Sequence, residues 1–349
     1  MRMVTLGKTN ITVPQNAFGA LPVQRADMDT AIRILRRAYE GGMTFFDTAR
    51  AYSDSEEKIG LAFGDMYKDI RSKIYIATKT QAKTPKELRE QLNESLRLLK
   101  TDYVDIYQLH CVPVCYKSGD GTGMYEELVK VKEEGLVRHI GITTHKIEVA
   151  FEIVNSGLYE TIQYPFSYLA SDREIELVKL AKEKNVGFIA MKGLAGGLIN
   201  DSKAAMAYML LYDNVLPIWG IQKENELEEW LSYMENEPVM SDSVREFIKS
   251  EQENLMGEFC RGCGYCMPCP AGIEINNCAR MSLMLRRAPS KGWLSKEYRE
   301  KMSKIENCLN CGQCKAKCPY ELDTPTLLKK NLEDYKKVLA GEVSVSYVN

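Results

Sequence analysis

The chain has 349 residues, 45% of them apolar, and a formal net charge of −2. That length holds one large domain and a small one, and so even a charge balance supplies no field to attract nucleic acid. No apolar run reaches the roughly 18 residues that a membrane helix needs, and MRMVTLGKTNITVP at the N-terminus lacks the apolar core of a signal peptide; a cytoplasmic protein with neither nucleic acid nor membrane as partner is expected.

In chain order, VTLGKTNITV reads first, as a hairpin turning at Lys8 to Asn10 that caps the lower end of the large domain. Eight short apolar runs come next: NAFGA (16–20), MTFFD (43–47), KIYIATK (73–79), YVDIYQLH (103–110), VRHIGI (137–142), TIQY (161–164), VGFIAM (186–191) and VLPIWG (215–220). Amphipathic segments such as MDTAIRILRRAYEGG and PKELREQLNESLRLLK separate them, and Gly41, Gly42, Gly135 and Gly187 sit where helices stop. Regular β-α alternation predicts a parallel sheet with helices outside. Eight repeats in about 240 residues have the size of a (β/α)₈ barrel. A doubly wound open sheet is the alternative, but its glycine-rich turn is missing from AFGALPV. The expected domains are a TIM barrel over residues 1–240, a small α+β iron–sulfur domain over 250–330, and a helix with a polar tail over 331–349.

Chemistry in such a barrel sits at the C-terminal strand ends. Asp47, Lys79 and His110 end the second, third and fourth strands, and Tyr52 follows Asp47 by five residues. Singly, a strand-end Asp is a helix cap and a Tyr is packing. Together they make an acid–base group. A tyrosine is a poor acid, with a free pKa of about 10, and a nearby ammonium lowers it. Lys79 is the ammonium, Asp47 its anchor, and His110 a hydrogen-bond donor to a carbonyl oxygen. Such a set protonates an oxygen while hydride reaches carbon.

Cys111 and Cys115 stand alone early in the chain and read as small buried apolar residues; nine more cysteines lie between 260 and 318. Without an export signal, metal ligation explains such a cluster better than disulfides. Cys308-x₂-Cys311-x₂-Cys314-x₃-Cys318-Pro319 is the bacterial ferredoxin spacing, in which the cysteine before proline ligates the other cluster. Cys260-x₂-Cys263-x₂-Cys266-x₂-Cys269-Pro270 is one residue short of it. Crossing over gives two [4Fe–4S] quartets: Cys260, Cys263, Cys266 and Cys318, then Cys308, Cys311, Cys314 and Cys269, with Cys278 as the spare. Zinc, the rival, prefers two separated C-x₂-C pairs.

Residues 4–235 resemble the aldo-keto reductases through LGKTNITVPQNAFGA, FFDTARAYSDSEEKIG, IATK, DYVDIYQLH and GIQKENELEEW. The resemblance implies a (β/α)₈ barrel that binds NADP or NAD without a Rossmann domain, with a tetrad of Asp47, Tyr52, Lys79 and His110 and Tyr52 as general acid. It implies cofactor contacts at Gly19, Asp47, Gln163 and Gly220, and in the stretch KGLAGG, through Gly193, Leu194 and Gly196. Several family positions differ. Thr143-Thr144 replaces a Ser-Asn pair that holds the carboxamide, Met191 replaces a ring-stacking Tyr, and Gln222, next to Lys223, replaces an Arg that reads the 2′-phosphate. The C-terminal segment resembles a two-cluster ferredoxin domain. The function expected is hydride transfer between NAD(P)H and a small carbonyl or alcohol, with the clusters exchanging electrons with a redox partner such as a ferredoxin or flavoprotein. The alternative is an electron-transfer or scaffold protein with a degenerate hydride site and structural clusters.

Overall fold

The computed structural model describes residues 1–255, 259–287 and 290–345; the last four residues of the expected tail lie outside this set. The chain forms two compact units, Met1–Gly193 with Lys203–Ser241, and Leu194–Ser202 with Asp242–Asn349.

The first unit opens with the hairpin. Strands β1 (Met3–Thr5) and β2 (Thr12–Pro14) pair antiparallel, Val4 opposite Val13. Its apolar side chains Val4, Leu6, Ile11 and Val13 are buried against Ala17, Phe45, Ala77, Ile106, Ile189 and Leu216, so they close one end of the barrel. Gly7 permits that approach: at φ +51, a Cβ there would fall 2.4 Å from the backbone nitrogen of Gly187.

Eight parallel strands then close the barrel: β3 (Ala17–Gly19), β4 (Phe45–Asp47), β5 (Tyr75–Thr80), β6 (Val104–Leu109), β7 (Val137–Thr143), β8 (Thr161–Pro165), β9 (Gly187–Met191) and β10 (Val215–Gly220), with β10 returning to pair with β3. Each runs where an apolar stretch of sequence stands. Strands covered on both faces read as continuous apolar runs rather than alternating ones. The helices between them carry their own boundaries. Asp27 accepts from Thr30 N at 2.9 Å to start Met28–Glu40, which buries Ala31, Ile34, Leu35 and Ala38. Thr84 caps Pro85–Leu99, with proline in its first turn and Lys100 left-handed (φ 55) at its end.

The second unit has a core of Ile273, Ile275, Cys278, Met281, Leu285, Met302, Leu328 and Tyr335. Its described residues form helices and loops with no strand, where α+β content was expected. The cysteine runs themselves cannot extend as strands. Gly262, Gly264, Asn310 and Gly312 all take positive φ, which coils the backbone instead of extending it. The long helix Thr324–Leu339 starts before residue 331 and is fixed to the rest by Asn331, whose Oδ1 accepts from Ser282 N and whose Nδ2 donates to Ala279 O. Arg286 grips Asp334 through both guanidinium nitrogens.

Candidate functional site

At the C-terminal ends of the barrel strands, Lys79 Nζ donates to Asp47 Oδ1 at 2.5 Å and to Thr48 O at 2.7 Å, and both side chains are buried. Nζ lies 5.0 Å from the centre of the Tyr52 ring. That ring meets His110 edge-on, 5.6 Å between centroids. The four residues picked out in the sequence therefore converge.

The loop that carries Tyr52 is held by residues that do no chemistry themselves. Ser55 Oγ donates to Ala20 O, Glu56 is buried between Arg50 and the Thr78 hydroxyl, and Lys58, also buried, donates to Val23 O and Ala26 O. The conspicuous motif FDTARAYSDSEEK is thus mostly a brace.

Protonation follows from burial. Burial alone would lower Lys79, but the Asp47 carboxylate overrides it and keeps the ammonium. Tyr52 corrects the expectation: burial raises its pKa, and the Lys79 charge, pulling downward, does not overcome it. The phenol stays protonated. His110 is pushed down to about 3 by burial and then by Lys79, so its imidazole is neutral, and its Nδ1 is buried without a hydrogen-bond partner.

The expected cofactor residues are less uniform. Gln163 is buried; its amide reaches Asp47 Oδ1 at 3.5 Å while its oxygen accepts from Gln108 Nε2 at 3.0 Å. Thr143 and Thr144 are turned to the loop after β6: Thr143 Oγ1 accepts from Cys111 N, and Thr144 Oγ1 donates to Val112 O and accepts from Lys146 N. Met191 is half-buried at the end of β9, and Gly193 packs so tightly that a Cβ would fall 2.5 Å from the Trp219 ring. Gly19 lies against the Trp219 backbone and Gly220 against Pro22. Gln222 N and Lys223 N both donate to Glu226 Oε2, and Gln222 Oε1 is buried without a partner. Leu194 and Gly196 fall in the second unit.

In that unit the cysteines form two groups. Cys260, Cys263, Cys266 and Cys318 line one cavity with Arg261, Pro319 and Tyr320. Cys269, Cys308, Cys311 and Cys314 line another with Pro270, Ile273 and Leu328, and Cys266 stands between the two. The first lining holds the four cysteines of one expected quartet and the second those of the other plus Cys266. Among the described residues no three Cys, His, Asp or Glu side chains are grouped closely enough to hold one metal ion. Burial pushes Cys266 up to about 12 and raises Cys260, so a bound metal has to draw off those protons. Gly262 N points at Cys260 Sγ, 3.4 Å away. Cys278 lines neither cavity; its thiol is buried against Lys301 O.

Three residues near the tetrad escaped the sequence reading. Gln108, fully buried on β6, reaches Asp47 Oδ2 at 3.4 Å. Cys111, where a buried apolar residue is expected, is half-buried at φ 55 directly after His110, with its sulfur 3.8 Å from His145 Nδ1. His145 is held neutral by burial, reinforced by Lys192. A polar residue inside a strand and a cysteine next to a candidate catalytic histidine were the available signals.

The barrel with its polar rim, joined to a unit that gathers eight cysteines, is an oxidoreductase architecture carrying an iron–sulfur module. The chain belongs to the aldo/keto reductase family, which matches residues 15–210, and residues 259–323 match a 4Fe-4S dicluster domain. It is 31% identical over 214 residues to L-galactose dehydrogenase of Arabidopsis thaliana, covering 56% of this chain and 66% of that one, and 29% identical to an aldo-keto reductase of Bacillus subtilis, covering 52% and 57%. An uncharacterized oxidoreductase of B. subtilis is 28% identical, covering 58% and 67%. The chain thus spans about two thirds or less of these relatives' lengths. An aldo-keto reductase from Bacillus halodurans, solved in its holo form, shares the fold with a TM-score of 0.61 at 24% identity, covering 72% of this chain and 96% of that one. Among the described residues no helix is long and apolar enough to cross a membrane.

Proposed function

We propose that the barrel reduces a small carbonyl compound, or oxidises the matching alcohol, with NADP or NAD as cofactor, and that the second unit holds two [4Fe–4S] clusters. The observation that carries the reading is the buried Lys79–Asp47 pair beside a protonated Tyr52 and a neutral His110. Tyr52 gives its proton to the substrate oxygen. His110 donates a hydrogen bond to the same oxygen and orients it. Lys79, fixed by Asp47 and the Thr48 carbonyl, supplies positive charge as the phenol gives up its proton. The nicotinamide, when bound, supplies the hydride. Gln163 and the strand-end backbone at Gly19 and Gly220 are the barrel's remaining candidates to hold it, since the Thr144 hydroxyl is committed on both sides and that of Thr143 already accepts from Cys111 N.

For the clusters, the donor set fits: four cysteines per cavity, in loops coiled by glycines at positive φ. Each iron corner would take one thiolate, Cys260, Cys263, Cys266 and Cys318 around one cluster and Cys269, Cys308, Cys311 and Cys314 around the other. The clusters would exchange single electrons with a ferredoxin or flavoprotein. The second reading, an electron-transfer or scaffold protein, draws support from the committed threonine hydroxyls and from Met191. One experiment separates the two. Anaerobic protein is mixed with NADH or NADPH and a panel of aldehydes, and cofactor oxidation and cluster absorbance are followed in the same cuvette. Turnover with several aldehydes supports the first reading. Clusters that take electrons from dithionite, in protein that binds neither dinucleotide, would sink it in favour of the second.

A further inference from the structure

The two cysteine cavities differ in charge. The described residues lining the Cys269–Cys308–Cys311–Cys314 cavity are all uncharged. The Cys260–Cys263–Cys266–Cys318 cavity has Arg261 in its wall, stacked 4.6 Å over the Tyr320 ring, and a second guanidinium, Arg280, stands against the same loop. A Cβ on Gly262, between the first two cysteines of that quartet, would lie 2.9 Å from Arg280 Cζ. Arg280 is half-buried and its Nε has no hydrogen-bond partner. Among the described residues its side chain pairs with no carboxylate. A guanidinium placed this way stands against the cysteine loop with its charge unpaired.

Arg280 has one further contact. Its Nη1 donates to Gly196 O at 3.0 Å, in the segment Leu194–Ser202 that packs within the same unit. Gly196, at φ +68, leaves room for it: a Cβ would sit 2.7 Å from Nη1. Gly197 follows at φ +93, with Met284 Cε 3.7 Å from where its Cβ would be. One guanidinium is therefore wedged between two glycine turns, one in the cysteine loop and one in the 194–202 segment.

We infer that Arg280 is the positioning residue that raises the reduction potential of the Cys260-side cluster and ties the 194–202 segment to that cluster's presence. This rests on the proposed ligation. A fixed cation beside a cluster favours its more negative, reduced form, and charge and hydrogen bonding around the sulfurs are what set such potentials. Among the described residues no guanidinium stands against the other cysteine loop; Lys329 and Lys336, around the cavity next to Cys308, are matched there by Glu306 and Glu333, so the effect of Arg280 falls on one cluster.

The test is EPR-monitored redox titration of anaerobic protein, wild type against Arg280→Gln and Arg280→Lys, with hydrogen exchange of peptides covering 194–199. Arg280→Gln should lower the potential of one cluster by a tenfold change in its reduction equilibrium, about 59 mV for one electron, leave the other in place, and speed exchange in 194–199. Arg280→Lys should keep most of the potential while losing the protection. Unchanged potentials in Arg280→Gln with full iron content overturn the inference, as does a Lys variant that shifts as far as the Gln variant. If Arg280→Gln fails to assemble the cluster, Arg280→Lys against wild type decides, and unchanged exchange in 194–199 in that variant overturns the inference. The ligation is checked apart from this: Cys263→Ala that retains both cluster signals refutes the ligand set and not the role of charge.

Discussion

Replacing Tyr52 by Phe removes one oxygen and leaves the ring. The ring is held by its edge-on contact with His110 and by the Lys79 ammonium 5.0 Å from its centre, so the loop should keep its place. Lys79 keeps Asp47 and the Thr48 carbonyl, and folding stability should fall by no more than about 1 kcal/mol, the worth of a hydrogen bond. Carbonyl reduction should fall by roughly 10²–10⁴, the usual contribution of a positioned acid, which is about 3–5 kcal/mol of barrier. A water admitted in place of the hydroxyl would put the loss at the lower end. Single-turnover reduction of an aldehyde by prebound NADPH reads the effect directly, and the dinucleotide Kd should change little. The pH profile is the second readout. Because burial holds the phenol above its ordinary value of about 10, wild-type reduction should stay flat through neutrality and decline only in alkali. His110, at about 3, adds no inflection near pH 6.5. Lys79→Met removes the one nearby charge that favours the phenolate, so the alkaline limb of its residual activity should move still higher. A Tyr52→Phe variant within fivefold of wild type in single turnover would refute the assignment of Tyr52 as acid.

Anaerobically purified protein should carry about eight irons and eight sulfides, from two four-iron clusters; Cys311→Ala should lose half of them and Cys278→Ala none, by iron and sulfide assay, and stoichiometric zinc would contradict the ligand reading. Glu226 already takes the backbone N–H groups of Gln222 and Lys223, leaving a carboxylate where a 2′-phosphate would approach, so NADPH should be preferred over NADH by less than about tenfold, and Glu226→Gln should shift the Kd ratio toward NADPH by removing one repulsive charge. Asp47→Asn should destabilise the fold by about 3–5 kcal/mol in denaturant unfolding, because it strands the buried Lys79 ammonium, and adding Lys79→Met should restore part of the loss. His110, with a folded pKa depressed below its unfolded value, binds its proton more readily when unfolded. The stability it contributes is complete above about pH 6.5 and is lost as pH falls from there toward 3, by at most about 1.4 kcal/mol per pH unit; His110→Asn should flatten the urea-midpoint curve between pH 6.5 and 4.5, and an unchanged slope there would count against a buried neutral imidazole.

The barrel was legible because its physics is local. A strand covered on both faces has to be apolar throughout, and runs such as KIYIATK and YVDIYQLH sit where β5 and β6 form. The convergence of Asp47, Tyr52, Lys79 and His110 was legible because strand ends of a barrel share one rim. The iron–sulfur domain was legible from the cysteine spacing and the Cys-Pro ends. What failed needed distances. The sign of the Tyr52 shift depends on how much water the loop excludes, and sequence says only that a lysine is near. The commitment of Thr143 and Thr144 depends on the loop after β6 turning back at Cys111, φ 55, to meet them. In the second unit the cysteine runs are coiled at Gly262, Gly264, Asn310 and Gly312, all at positive φ, and do not extend as strands. The membership of Leu194–Ser202 in that unit reflects contacts from Arg280 and Met284, more than eighty residues away in sequence.

The charges on the barrel rim give the proposed reaction a direction. Lys79 and Asp47 cancel, Tyr52 is held as a phenol and His110 as a neutral imidazole. A site in that state can donate a proton to an oxygen but is poorly set to accept one, since alcohol oxidation needs the phenolate that burial disfavours. Reduction should therefore dominate at neutral pH, and oxidation should rise with pH toward the range where the phenol ionises. Hydride delivery moves electrons in pairs, whereas each cluster passes one. A self-contained acid–base set on the barrel asks nothing of the clusters in the proton step. Their place in the proposed cycle is then as electron carriers facing a separate partner, and the rim can be tested by single turnover with the clusters held oxidised.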